Sequence, residues 1–352
     1  MRRTVLWLAV ALWLLAPIAN AEGPQVGARA AILMEAETGR VLFEKNADER
    51  LAIASTTKIM TALLAIENAS MDEIVTAGRN ASGVPGTSIY LSEGERLTME
   101  EMLYGLMLRS GNDAAVAIAE HIDGSVEAFA ARMNARAEAL GANAYFTTPN
   151  GLDSGGNGAS ARGLARIARE AMRHAEFRTI VSTKRRTIPW SDHEYTRVLT
   201  NKNKLLSTYD GAMGIKTGFT KKAGRCLVFA AERAGMRVVG AVLRCPNWFE
   251  EAAEIMDFGF ETYTMTELLP AGAILTKGKE EFTLLSALRV PLREGELAEV
   301  EMEVSEAEAR AWAVVNGERL ASAELSRERR EEKLSFAEGF RRLWLKWSAF
   351  NK

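Results

Sequence analysis

The 352-residue chain predicts an α+β fold: an antiparallel sheet flanked by helices, followed by a small C-terminal β-rich domain and a terminal amphipathic helix. Three observations carry this reading. Strand-like segments open the chain at Ala30–Glu35 and Val41–Glu44, on either side of the turn signal Thr38-Gly39, and others close the first ~265 residues near Ile188 and at Gly214–Phe219, Cys226–Ala231 and Val238–Leu243. A helical block lies between them, so the sheet is expected to be assembled from both ends of one domain and packed on the helices. Beyond about Leu268, short mixed segments with turn signals at Gly278, Gly295 and Asn316-Gly317 read as a second, β-rich unit.

Taken in order, Arg2 and Arg3, the apolar run Val5–Leu15, Pro17 and Ala19-Asn20-Ala21 have the layout of a secretory signal peptide over residues 1–21, cleaved after Ala21. The alternative, an uncleaved anchor, is weaker because the run falls short of the ~20 residues a span needs. The mature chain is therefore expected outside the cytoplasmic membrane, as domains 22–265 and 266–333 followed by a terminal helix over 334–352. Within the first domain, Ile59 to Ile66 is apolar all round except at Thr61 and should be a buried helix. Thr98-Met99-Glu100-Glu101 is a capping box for a helix running to about Arg109. Asp113–His121, Val126–Leu140 (after the N-cap Ser125) and Ala161–Arg173 follow as helices, with a Gly/Asn/Pro-rich loop over Thr147–Gly158. Asn247-Trp248-Phe249-Glu250 reads as a second capping box, opening a helix to about Phe258.

Composition excludes several function classes. With 47% apolar and 26% charged residues the chain can bury a core, which excludes wholesale disorder. A net charge of −2 gives no basis for a nucleic-acid partner. Three scattered His and two Cys, without His-x-x-x-His or Cys-x-x-Cys spacing, leave little material for a zinc cluster, so no metal chemistry is expected. Export permits a disulfide, and Cys226 and Cys245 share one expected hairpin. A turn near Ala234-Gly235 sets them about two residues out of register, so two buried thiols are expected, with a bridge as the alternative. At the far end Ser335 is the expected N-cap of the last helix. Phe336, Phe340, Leu343, Trp344 and Trp347 fall on one face, with Arg341, Arg342, Lys346 and Lys352 on or beside the other. That is the composition of a helix lying on a membrane surface, though packing on its own domain is the commoner fate of such a stripe.

The chemistry lies in three triplets. Ser55-Thr56-Thr57-Lys58 opens the buried helix, and residues three apart share a face. A serine hydroxyl is a weak nucleophile until a base takes its proton, and a lysine can be that base only when burial or a nearby cation keeps it neutral. Alone, this pattern is usually an ordinary helix cap with a solvated lysine. Ser110-Gly111-Asn112 falls between two helices, where it can aim two polar side chains into a cleft rather than merely link them. Lys216-Thr217-Gly218 falls on a strand, where Gly218 permits close backbone approach, here expected to be that of a substrate.

The three together, in this order, resemble the Ser-x-x-Lys, Ser-x-Asn and Lys-Thr-Gly set of penicillin-binding proteins and class A β-lactamases. The longer segments are similar to the low-molecular-mass D-alanyl-D-alanine carboxypeptidases: Ala54–Ala62, Leu108–Ala115, Pro149-Asn150-Gly151-Leu152-Asp153 and Gly214–Thr220. The resemblance runs from about Ala30 to the C-terminus. It implies a DD-peptidase/β-lactamase-like catalytic domain and no cofactor. The implied partners are the peptidoglycan stem peptide as substrate, β-lactams as acylating inhibitors, and the membrane surface through the terminal helix. The implied roles are Ser55 as nucleophile, Lys58 as general base and Ser110 as proton relay to the departing D-alanine. Asn112 would hold the substrate amide, Lys216 and Thr217 would serve the terminal carboxylate beside Gly218, and the N–H groups of Ser55 and Phe219 would form an oxyanion hole. Lys202 and Arg244 are candidate extra cations for the carboxylate.

Two departures stand out. Gly163 replaces an Asp that relatives often carry after Ser-x-Ala-Arg, which bears on the anchoring of the 147–158 loop. Phe219 replaces a His or Tyr after Lys-Thr-Gly, which bears on carboxylate recognition. A β-lactamase needs a carboxylate to activate the deacylating water, and the loop offers only Asp153. A D,D-endopeptidase would use the same residues, and a silent scaffold would be expected to have lost a triplet.

Overall fold

The computed structural model describes residues 23–152, 155–190 and 194–327. The signal segment 1–21, Asp153, His193 and the terminal helix over 334–352 lie outside the described residues. Two compact units emerge, one of residues 23–266 with 291–296, the other of 267–290 with 297–327. Among the described residues no helix is long and apolar enough to cross a membrane.

The first unit is organised by a five-stranded antiparallel sheet in the order Val41–Lys45, Ala30–Glu35, Met236–Leu243, Gly224–Arg233, Ala212–Thr220. Both ends of the domain supply strands, as the sequence pattern requires, and the pairing of Ala30 with Leu243 through Glu35 with Val238 closes the seam between them. Side-chain alternation then divides the core. Ile32, Val228, Val239 and Ala241 face the helical block, while Leu33, Leu227, Phe229 and Val242 face the helix Trp248–Thr262. Because both faces are covered, all six residues of Ala30–Glu35 are buried, which explains why that strand reads as a continuous apolar run. Packed on the first face are Lys58–Asn68, buried nearly all round, and Ala161–Ala171, whose N-cap Ser160 accepts from Gly163 N.

Among the described residues, side-chain caps set the start of three helices, Ser160 among them. Thr98 and Glu101 form the reciprocal capping box, and Ser125 caps Val126–Ala139 by accepting from Ala128 N. Asn247 departs from expectation. It stands at the N-cap with φ −106° and ψ 48°, outside extended geometry, and its side chain makes no capping bond. The helix is tied instead by buried Glu251, whose carboxylate accepts from Ala28 N at 2.8 Å.

Cys226 and Cys245 are both free and buried. Cys226 precedes the Leu227–Val242 pair of the hairpin and joins the helical-block core. Arg244, with φ 48°, interrupts the alternation after Leu243 and turns Cys245 into the opposite core. The sheet itself separates the thiols, and burial raises the Cys226 thiol to about 11.

The second unit is a five-stranded antiparallel sheet in the order Ile274–Lys277, Glu280–Leu284, Glu318–Arg327, Ala309–Val315, Ala298–Val304. Phe282, Ala311, Ala313 and Leu325 are buried within it.

Candidate active site

The serine precedes the long helix rather than belonging to it. Ala54–Thr57 form a 3₁₀ turn and Lys58 starts the α-helix, with Ala54 in the left-handed region at φ 48°. In a 3₁₀ turn residues i and i+3 eclipse one another, which stacks the two functional side chains. Lys58 Nζ lies 3.0 Å from Ser55 Oγ. Ser55 is half-buried while Thr56, Thr57 and Lys58 are buried, so the hydroxyl is the polar group of this turn that solvent or substrate can reach.

Lys58 makes two further contacts, 2.7 Å to Asn112 Oδ1 and 2.6 Å to the carbonyl oxygen of Asn150. Both of those atoms only accept hydrogen bonds, whereas a serine hydroxyl can donate. An ammonium can donate to all three partners, and a neutral amine fits them equally: it donates to the two carbonyl oxygens and accepts the Ser55 proton at its lone pair. The electrostatics favour the neutral state. Burial holds Lys58 well below the usual lysine range, the charges of Lys216 and Lys202 push the same way, and Asp113 opposes them.

Ser110 and Asn112 arrive from a helix break. The segment Met99–Tyr104 widens into a π-helical turn over Gly105–Arg109, and Ser110 follows with φ 66°. Left-handed geometry at a non-glycine residue costs of order 1–3 kcal/mol and concentrates at functional sites, and here it occurs at both Ala54 and Ser110. Asn112 begins the next helix, Asn112–Asp123. Its Nδ2 donates to Pro85 O at 2.7 Å, so both ends of its amide are engaged. Asp113 is consumed structurally, accepting from Ser88 Oγ and from the amides of Ile89 and Leu91.

Lys216 and Thr217 are buried on the edge strand, paired opposite Val228 and Leu227. Lys216 Nζ donates to Thr217 O at 3.1 Å, and burial, with the charge of Lys202, lowers it to about 7. Gly218 has a use different from the expected one. A Cβ there would come within 2.9 Å of Ile53 O and 3.1 Å of Ser55 N, so its missing side chain admits the Ser55 turn rather than a substrate backbone. The ring of Phe219 is 62% exposed. Lys202 enters the electrostatic cluster, its own charged form disfavoured by desolvation and by Arg109. Arg244 donates to Lys222 O at 2.9 Å.

Sequence reasoning missed the part played by the backbone of 149–150. Thr61 Oγ1 donates to Pro149 O at 2.6 Å, one residue before the carbonyl that holds Lys58. Thr61 was the visible signal, since a lone polar residue on an all-buried helix needs a partner. The loop is anchored without the missing acid. Asn157 accepts from Thr147 N and donates to Thr148 Oγ1 and Leu152 O, and Arg50 donates to Gly156 O. Gly163 is demanded by packing, because a Cβ there would lie 2.8 Å from Asn143 O and 3.0 Å from Asn143 N.

Comparisons with known proteins agree with this geometry. The sequence profile of the peptidase S11 family, D-alanyl-D-alanine carboxypeptidase, matches residues 18–247. The chain is 36% identical over 274 residues to the D-alanyl-D-alanine carboxypeptidase DacF of Bacillus subtilis, covering 74% of this chain and 70% of that one. It is 34% identical over 288 residues to DacC of Escherichia coli, covering 76% and 71%. Among solved structures, the Streptomyces K15 DD-transpeptidase superposes with a TM-score of 0.64 at 36% identity, over 68% of this chain and 99% of that one. A putative penicillin-binding protein homologue from Mycobacterium tuberculosis gives 0.66 at 32%, over 70% and 95%.

Proposed function

The chain belongs to the D-alanyl-D-alanine carboxypeptidase family, and from that premise we propose that Ser55, Lys58 and Ser110 remove the terminal D-alanine from peptidoglycan stem pentapeptides through an acyl-enzyme. The observation that carries the assignment is the position of the Lys58 amine, 3.0 Å from Ser55 Oγ and held by two carbonyl oxygens, with burial disfavouring its charged form.

Ser55 Oγ attacks the carbonyl carbon between the two D-alanines while its proton passes to Lys58 Nζ. The N–H groups of Ser55 and Phe219 receive the developing oxyanion. As the C–N bond breaks, Ser110 relays the proton to the leaving amine, and D-alanine departs. Water then attacks the ester, releases the shortened peptide and restores the Ser55 hydroxyl. Lys216 and Thr217, beside Gly218, receive the terminal carboxylate, with Lys202 adding positive potential. Asn112 positions Lys58, and takes the substrate amide by exchanging its bond to Pro85 O. β-Lactams acylate the same serine. The 147–158 loop offers only Asp153 as a carboxylate, with no Glu-x-x-x-Asn arrangement to speed deacylation as a β-lactamase requires. The likeness to a DD-transpeptidase supports a second outcome of the same acyl-enzyme, capture by an amine in place of water.

The site works on the cell wall, outside the cytoplasm. The order of charge, apolar run and small residues over 1–21 supports export, and the aromatic-basic pattern of 334–352 supports attachment of that segment to the membrane surface. The test is release of D-alanine from a pentapeptide ending in D-Ala-D-Ala. Release by the native protein that disappears in Ser55→Ala is expected, and undiminished release by the variant overturns the assignment of the nucleophile.

A further inference from the structure

One wall of the site is the segment 85–91. Pro85 O takes the Asn112 side chain, Thr87 O takes the Asn112 amide at 2.7 Å, and Asp113 gathers the amides of Ile89 and Leu91. At the outer end of this wall stands Tyr90, in left-handed geometry at φ 64° with its ring 69% exposed. A bulky residue adopts that backbone only when its surroundings enforce it. Here Ser88 Oγ accepts from Tyr90 N at 2.8 Å, and Arg197 Nη2 donates to Tyr90 O at 3.0 Å.

Arg197 ties the patch together. It is buried in an ion pair with Glu95, at 2.7 Å through Nη2, and its guanidinium lies 4.6 Å from the ring centroid of Trp190. Trp190 in turn meets Tyr195 edge-on at 5.6 Å, and Tyr195 is 61% exposed. Arg197 thus holds the backbone of Tyr90, in the wall that ends at Asn112, and the ring of Trp190, which in turn carries Tyr195. An exposed aromatic cluster on a rigid base marks an interaction surface.

We infer that Tyr90, Trp190 and Tyr195 form a carbohydrate-stacking platform that holds the N-acetylhexosamine strand from which the stem peptide hangs. Sugar rings present a C–H face that matches an aromatic face and a hydroxyl rim that stays in water. The charge at the centre of the patch points to a neutral occupant, because Arg197 is already neutralised by Glu95 and buried against the Trp190 ring. Continuity with the site supplies the rest. The inference rests on the carboxypeptidase reading, since the glycan is the portion of that substrate lying beyond the peptide.

The test compares a disaccharide-pentapeptide with the bare pentapeptide, using the native protein, Tyr90→Gly (which tolerates the backbone geometry), Tyr195→Ala and the double variant. The native protein should show a KM about tenfold lower on the glycan-bearing substrate, as expected when a stacking contact of hot-spot size is lost or gained. The double variant should erase that advantage while leaving kcat, the bare-peptide KM and penicillin acylation unchanged. Equal native KM on both substrates, or equal losses on both in the variant, overturns the platform. So does a variant that loses binding to phospholipid vesicles while keeping the glycan advantage, which would make the rings a membrane contact. Should the native protein release no D-alanine from either substrate, the carboxypeptidase reading has failed. Calorimetric binding of a peptide-free N-acetylhexosamine oligomer then decides the platform separately: loss of binding in the double variant supports it, and no native binding overturns it.

Discussion

Replacing Lys216 by methionine should make the protein more stable and less active, and the gain should depend on pH. In the folded chain, burial brings the Lys216 ammonium from its ordinary 10.5 to about 7. At about 1.36 kcal/mol per pH unit, that difference corresponds to about 5 kcal/mol of destabilisation at low pH. The sign follows from proton counting. Between pH 7 and 10.5 the unfolded chain holds the proton that the folded chain has released, so this group makes stability rise with pH across the window, by about 1.4 kcal/mol per unit. A methionine of similar volume carries no such penalty. The variant forfeits the bond from Nζ to Thr217 O at 3.1 Å, worth about 1 kcal/mol, which leaves a gain of about 4 kcal/mol at pH 6 that vanishes just below about pH 10. Urea unfolding of both proteins at pH 6, 8 and 10 measures it. Two stability curves that run parallel across this range would refute the argument, because Lys216 would then titrate alike in both states. Activity supplies the complementary reading. Lys216 is the largest charge contribution lowering Lys58, so residual acylation in the variant should need a more alkaline pH. Stability gained with function lost is the expected signature of a buried catalytic charge.

The remaining predictions concern the same wiring. Penicillin acylation of the native protein should be bell-shaped in pH, rising as Lys58 loses its proton below its usual range and falling above about 7 as Lys216 loses its own; a rate flat from pH 5 to 9 would contradict it. Gly163→Asp, which restores the acid of the relatives, should destabilise the fold by about 1–3 kcal/mol because its Cβ meets the Asn143 backbone, and calorimetry showing no loss would contradict that packing. Glu95→Gln leaves the Arg197 guanidinium buried without its anion and should cost about 3–5 kcal/mol in urea unfolding, whereas a surface pair would cost under about 1 kcal/mol.

The features legible in the chain before folding are local. Ser55 and Lys58 are three residues apart, and any helical turn brings them together. The alternation in 226–231 and 238–243 and the Thr98/Glu101 and Ser125 caps likewise depend on neighbours within a few positions, so their elements were legible. So was the sheet built from both ends of the domain, because no other surface could cover the helical block. The features that emerge on folding involve groups that meet across long stretches of chain. The carbonyl of Asn150 that holds Lys58 lies 92 residues away. Backbone carbonyls carry no residue signature, so that contact left only an indirect trace in Thr61. Gly218 reads as an open approach until the Ser55 turn is seen filling it. A single left-handed residue, Arg244, sends Cys245 to the opposite face of the sheet, which no hairpin register could foretell. The lowering of Lys58 is the clearest case. It depends on desolvation and on the charges of Lys216 and Lys202, more than a hundred residues away in the chain, and so on how densely the fold surrounds one amine.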